Sequence, residues 1–157
     1  MFDVGNTPLV EFEKIREKEN LACHIFGKME YKNPAGSTKD RIVKQILDDA
    51  IAAGELHDGD EIVEATSGNT GIALAAYGAM LGHTVKIFMP DNMSQQRINL
   101  MQNFGAEVVL TPASENVEGS IRAVHEYIET HENCFLANQF NNLSNTTAHF
   151  ENTAHEI

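Results

Sequence analysis

The stretch Glu61-Ile62-Val63-Glu64-Ala65-Thr66-Ser67-Gly68-Asn69-Thr70-Gly71-Ile72-Ala73-Leu74-Ala75-Ala76 decides the fold. Residues 61–65 read as a short strand. Residues 66–71 are small and polar, and two of them are glycine. From residue 69 to 81 the side chains are apolar nearly all round, through Ala79, Met80 and Leu81, and Gly82 is the stop. A helix with no polar face is a buried helix, packed against a sheet. Strand, turn and buried helix in succession make one half of a β-α-β unit.

The same rhythm extends outward on both sides. Upstream, Ile42, Val43, Ile46, Leu47, Ala50 and Ile51 follow the i, i+3/i+4 rule of a one-sided helix. Ser37 is its expected N-cap, Asp40 the capping-box partner, and Gly54 the C-terminal glycine. Residues 21–31 contain a strand, with Ala22, His24 and Phe26 on one face. Downstream, residues 84–89 read as a strand stopped by Pro90, and Ser94 caps a helix that runs to Phe104 and ends at Gly105. A strand over 107–111, a helix over 117–131, a strand over 134–137 and a tail helix from residue 144 complete the pattern. This alternation predicts an α/β fold: a mainly parallel sheet with helices on both faces.

The bulk numbers fit one domain with a real core: 157 residues, 42% hydrophobic and 22% charged. Eleven basic residues against 23 acidic ones leave a formal charge of −12. That balance argues against nucleic acid or an anionic membrane as partner. No apolar run reaches the length of about 18 residues that marks a transmembrane helix, and residues 1–5 lack the basic start and apolar core of a signal peptide. Cys23 and Cys134 have no CxxC or Cys/His ligand spacing, so reduced, buried thiols in a cytoplasmic protein are the expectation. None of the seven histidines stands at metal-ligand spacing, so no metal is expected. The acids Glu126, Glu129 and Glu132 read as a solvated helix face, and Met89, Met93 and Met101 as fillers of core gaps.

Two segments carry chemistry. The first is Asn33-Pro34-Ala35-Gly36-Ser37-Thr38-Lys39-Asp40-Arg41, with Lys39 at the mouth of a helix. An unperturbed lysine has a pKa of about 10.4 and is a poor nucleophile at neutral pH. The positive end of a helix dipole and partial burial both disfavour the ammonium form. Lys39 is thus either a Schiff-base nucleophile or a solvated first-turn lysine paired with Asp40 or with the helix surface. The second is the loop from Thr66 to Gly71. Its successive N–H groups and the following helix favour a carboxylate or phosphate. In an open α/β sheet, ligands bind at the carboxyl ends of strands, where this loop sits. The alternative is a well-capped turn with no ligand. Gln139, after the strand at 134–137, either faces the same crevice or merely starts a loop.

At these residues the sequence resembles the cysteine synthase family (O-acetylserine sulfhydrylase), with cystathionine β-synthase as close kin, among the fold-type II pyridoxal-phosphate enzymes. The matching pieces run in order: residues 5–9 (GNTPL), 33–41 (NPAGSTKDR), Glu64 with 66–71 (TSGNTG), Met89-Pro90, Met93-Ser94, 104–112 (FGAEVVLTP) and Asn138-Gln139-Phe140. The resemblance spans essentially the whole chain.

It implies a parallel, Rossmann-like sheet: the small N-terminal domain of such an enzyme plus the first elements of its larger domain. Residues 1–40 would be an N-terminal strand segment of the larger domain, 41–136 the small substrate-binding domain, and 137–157 the start of the larger one. Lys39 would be the Schiff-base lysine and general acid/base, with pyridoxal 5′-phosphate as cofactor. Asn69 would bond the cofactor's 3′-oxygen. Thr66, Ser67, Gly68, Thr70 and Gln139 would hold the carboxylate of an amino-acid substrate. The implied reaction is β-replacement, O-acetylserine plus sulfide giving cysteine and acetate. Cystathionine β-synthase or a related lyase is the alternative.

Family members are longer than this chain. The part without a counterpart here carries a second glycine-rich loop, for the cofactor phosphate. The expectation is therefore an N-terminal half, acting in a homodimer or with a complementary C-terminal chain, or else a non-catalytic fragment that binds a partner. Exposed apolar edges are expected in 1–40 and 137–157. Ala65 stands where the family has proline, and Ala154-His155 where it has Gly-Pro.

Overall fold

The computed structural model describes residues 3–157. Two sheets are present among them. The smaller is an antiparallel pair, β1 (Leu9–Glu11) with β2 (Phe26–Lys28), joined through a short helix α1 (Glu13–Lys18). The larger is a four-stranded parallel sheet built from β3 (Glu61–Ala65), β4 (Val85–Pro90), β5 (Glu107–Thr111) and β6 (Cys134–Leu136), in the order β5-β4-β3-β6. Helices α2 (Lys39–Ala53), α3 (Asn69–Leu81), α4 (Gln95–Asn103) and α5 (Asn116–Thr130) alternate with these strands, and α6 (Ser144–Ala148) follows β6. A π-helical turn over His149–Thr153 leads into α7 (Ala154–Glu156).

The parallel α/β architecture is the one the alternation predicts. Ile62 and Ile87 are fully buried on one face of the sheet, in a core with Val43, Ile46, Leu47, Leu74 and Met89. Val63, Ala65 and Phe88 are buried on the other face, against Val124 of α5. Each fully buried Ile or Leu contributes on the order of 1.5–3 kcal/mol. Helix α3 has the bounds its apolar run implies, and Gly82 closes it at φ 84°. Gly54 closes α2 in the same left-handed conformation.

Several local expectations change. Thr38, not Ser37, is the N-cap of α2. Ser37 Oγ accepts from the Lys39 amide at 3.1 Å, while Asp40 reaches back to the Ser37 amide at 3.1 Å, so only the acidic half of the capping box forms. Ile51 turns outward and is exposed. Pro90 does not stop β4; it is the strand's last residue, opposite Thr111, where one missing N–H costs little. Ser94 caps α4 without a side-chain hydrogen bond. The strand expected within 21–31 shrinks to Phe26–Lys28. Both cysteines are free thiols, but Cys23 is exposed and Cys134 half-buried, not buried as expected. Met89 and Met101 are fully buried, and Glu126, Glu129 and Glu132 are exposed. Among the described residues no helix is long and apolar enough to cross a membrane.

Candidate active site

Lys39, Thr66, Ser67, Gly68, Asn69, Thr70 and Gln139 line one open cleft of ≈ 300 Å³, with Arg97 and Phe140. Three elements converge there: the first turn of α2, the turn between β3 and α3, and the segment after β6. All the residues singled out in the sequence for this chemistry therefore share one cleft, at the carboxyl ends of β3 and β6.

The approach to Lys39 is held from below by Asp40. Its carboxylate is fully buried and accepts from the amides of Ala35 (2.6 Å) and Ser37 (3.1 Å) and from the Tyr77 hydroxyl (3.2 Å). Burial and then the Asp40 charge push the Tyr77 hydroxyl far above the usual phenol range, so it remains a donor. Asn33 supports the same turn by donating to the Ser37 carbonyl at 3.0 Å. With Asp40 committed to these three donors, the ammonium of the half-buried Lys39 makes no hydrogen bond or ion pair among the described residues. It is not the Asp40-paired lysine of the alternative reading.

The turn opposite is built as an acceptor site for an anion. Thr66 is buried, and its hydroxyl accepts from the Gly68 amide at 3.2 Å. The amides of Ser67, Asn69 and Thr70 donate to no acceptor among the described residues. They stand at the N-terminus of α3, where the helix dipole adds to their pull on a negative group. Thr70 Oγ1 donates to Gln139 Oε1 at 2.5 Å, which joins the turn to the β6 side of the cleft.

The glycines of this turn act through space rather than backbone freedom. Gly68 has φ 175°, extended backbone open to any residue. A Cβ there would lie 3.2 Å from Arg97 Nε and 3.3 Å from its Cζ, so the bare Cα is the bed of that guanidinium. A Cβ on Gly71 would lie 2.8 Å from Thr66 Cγ2 and 2.9 Å from Met101 Cε.

Arg97 and Phe140 of the cleft, and Glu64 behind it, were not nominated in the sequence as site residues. Arg97 of α4 lies over Gly68 and donates to the Ser67 carbonyl at 3.3 Å. It falls 30 residues after Ser67 on another helix, and its only sequence signal is a lone cation in an uncharged helix. Glu64, noted only within the family pattern, is buried at the end of β3. Burial raises its carboxyl to about 7, against the opposing pull of the Gln139 and Ala65 amides. A carboxylate between the apolar Val63 and Ala65, inside the strand, was the signal available for it.

The model for pyridoxal-phosphate dependent enzymes matches residues 1–157. The chain belongs to this pyridoxal-phosphate dependent enzyme family. Within the family, the chain is 44% identical over 154 residues to a probable cysteine synthase of Bacillus subtilis, covering 98% of this chain and 49% of that protein. It is 39% identical to cystathionine beta-synthase of Mus musculus, covering 28% of it. The structure of cysteine synthase from Entamoeba histolytica superposes with a TM-score of 0.90 at 45% identity, over 98% of this chain and 46% of that one. The chain spans about half the length of the curated cysteine synthases it matches.

The donor set fits the cofactor of a pyridoxal-phosphate dependent enzyme. Lys39 offers a primary amine without a competing partner, Asn69 an exposed side-chain amide at the cleft, and the turn three uncommitted N–H groups. An aldehyde needs the first, a ring hydroxyl the second and a substrate carboxylate the third.

Proposed function

We propose that this chain carries the lysine and carboxylate sides of a cysteine synthase-type active site. The reaction proposed is β-replacement, O-acetylserine plus sulfide giving cysteine plus acetate. The observation that carries this reading is the pairing, across one cleft, of an unpartnered Lys39 with the free amides of Ser67, Asn69 and Thr70. Relatives named cysteine synthase in several organisms support it.

Pyridoxal phosphate, when bound, supplies the electron sink that makes the substrate Cα proton acidic. The protein supplies position. The turn amides and the Ser67 hydroxyl bind the carboxylate and fix the substrate's orientation, while the Thr70 hydroxyl donates to Gln139. Gln139 and Thr66 hold that turn in shape. Asn69 would bond the ring oxygen of the bound cofactor. Lys39 would hold the cofactor's aldehyde through its amine, and that amine, freed when the substrate's own amine takes its place, would take and return the Cα proton.

A division follows from the same reading. Residues 41–136 form the small domain, while 1–40 and 137–157 belong to a larger one completed by further polypeptide, in a homodimer or from a complementary C-terminal segment that holds the cofactor phosphate. The separate β1–β2 sheet supports this, as do the exposed Val10, Phe26, Phe140, Leu143, Phe150 and Ile157.

The test is optical and then chemical. Added pyridoxal phosphate should give a visible absorption band that is missing in Lys39→Ala, and borohydride should fix the cofactor's mass on the Lys39 peptide. Loaded protein should then make cysteine from O-acetylserine and sulfide. Cofactor retention without cysteine, but with product from serine and homocysteine, would favour the cystathionine β-synthase reaction. No band with the chain alone or with its complementing half would overturn the proposal.

A further inference from the structure

We propose that Glu64 is the positioning residue that holds Gln139 in the cleft, and that its ionised carboxylate sets the carboxylate-binding geometry. This rests on the functional reading above.

Glu64 lies one residue beyond the Ile62–Val63 core pair, and only 2% of it is exposed. Its two oxygens are divided between two amides. Oε1 accepts from Ala65 N at 2.8 Å, and Oε2 accepts from Gln139 N at 3.0 Å, 75 residues away. A buried charge needs such partners, and both belong to backbone that carries the cleft. The chain after β6 is shaped to deliver the second one. Asn138 adopts φ 51°, a left-handed conformation tolerated by asparagine, and so swings the next amide toward β3. Asn145 Nδ2 fixes the Gln139 carbonyl at 3.0 Å. The Gln139 side chain then spans the turn, donating to the Ala65 carbonyl at 3.4 Å and accepting from Thr70 Oγ1 at 2.5 Å. Glu64 thus touches nothing in the cleft, yet its two bonds fix both the strand end before Thr66 and the residue that braces Thr70.

Protonation undoes this arrangement. A neutral carboxyl has one oxygen that must donate, and both oxygens face N–H donors. The surroundings offer no compensating charge. On α5, His125 lines, together with Glu64, a separate cavity of ≈ 140 Å³. On β4, Lys86 pairs in register with Val63, and its ammonium is held by Glu107 at 2.9 Å. On α3, the Tyr77 hydroxyl is committed to Asp40, and β6 carries Cys134. Burial raises the Glu64 carboxyl to about 7, so both forms are populated near neutrality.

The experiment uses the whole chain. In a pH titration of the amide NMR spectrum, the Ala65, Gln139 and Thr70 signals should move with one shared midpoint near 7. That midpoint should persist in His125→Asn and vanish in Glu64→Gln. On cofactor-loaded protein, propionate, a carboxylate without an amine, should bind roughly tenfold more weakly to Glu64→Gln than to wild type. Glu64→Asp should recover part of the loss, and wild-type affinity should fall below the same midpoint. Wild-type amides without a common titration, or one that survives Glu64→Gln, would overturn the proposal, as would unchanged propionate affinity in that variant. The amide titration needs no cofactor, so failure of Lys39 to take up pyridoxal phosphate would sink the functional reading and leave this result to stand by itself.

Discussion

Arg41 and Glu156, 115 residues apart in the chain, meet through two N–H···O bonds of 2.7 and 2.8 Å. The other edge of the same guanidinium holds Glu30 through bonds of 2.7 and 2.8 Å. Glu156 also takes the Lys28 ammonium at 2.5 Å and the Asn6 amide at 2.8 Å. The first turn of α2, two residues after Lys39, is thereby tied to the β2 segment and to α7.

Arg41→Ala should therefore do more than remove a helix residue. The Arg41 side chain is 2% exposed, and its loss leaves the Glu30 carboxylate without a cation and Glu156 with Lys28 alone. Breaking a buried ion pair by removing one partner costs about 3–5 kcal/mol. Chemical denaturation should show a loss of that order. Hydrogen exchange should show amide protection falling first at Asn6 and across residues 154–156. An effect below about 1 kcal/mol would mean the network is solvated.

The same network makes the fold acid-sensitive. Burial pushes the Glu30 carboxyl up, but the hydrogen bonds from Arg41 and Thr7 outweigh it and hold the group at about 2. Hydrogen bonds from Arg41 draw the Glu156 carboxyl down as well. Both folded values lie below the unfolded one, so their stabilisation is complete above pH 4.5 and is lost as pH falls toward about 2. Glu30→Gln should be less stable than wild type at pH 6, and the gap should close by pH 2. A gap independent of pH would contradict this.

Gly71→Ala tests the space behind the anion-binding turn. Alanine favours helix by about 1 kcal/mol over glycine, but its methyl would sit under 3 Å from both Thr66 Cγ2 and Met101 Cε. Overpacking of that kind costs about 1–3 kcal/mol. The net expectation is a modest loss of stability, with a larger loss of propionate affinity as Thr66 is displaced. Unchanged affinity would show that Met101 absorbs the whole clash.

How much of this was legible follows from where the information lies. Helix α3 and strand β3 were readable to the residue, because the helix is apolar nearly all round from Ile72 to Leu81, Gly82 marks its end, and the small polar turn at 66–68 separates it from the strand. Strand β1 and helix α1 were not, and β2 was placed only loosely within residues 21–31, since α1 buries no side chain and each strand has three residues, too few for a period to register. At the site, Lys39 and the loop at 66–71 are local motifs and could be named. Arg97 and Glu64 act through contacts 29 and 75 residues away, to Gly68 and Gln139, which no spacing rule encodes.

The exposed apolar residues of the C-terminal segment yield a prediction about association. Leu143, Phe150 and Ile157 are 80%, 67% and 76% exposed. Changing all three to serine should leave stability within about 0.5 kcal/mol per site, as for other surface positions. Light scattering should show less self-association than wild type, and a complementing C-terminal half should bind the variant more weakly. Equal scattering by the two proteins would remove these residues from any docking surface.

Glu64 predicts a stability slope opposite in sign to that of Glu30. Its folded carboxyl sits at about 7, above the ordinary carboxyl value of 4.5, so the unfolded chain gives up this proton first. Below pH 4.5 the group is neutral in both states and costs nothing. As pH rises from 4.5 to about 7 the folded state is penalised by on the order of 3 kcal/mol, and above that the penalty is constant. Wild type minus Glu64→Gln should therefore fall by that amount across this window, whatever constant offset the lost amide bond adds. Urea denaturation of both proteins at half-unit intervals from pH 4 to 8 measures it. A difference that stays level, or that rises with pH, would show that the two backbone amides already hold Glu64 ionised throughout.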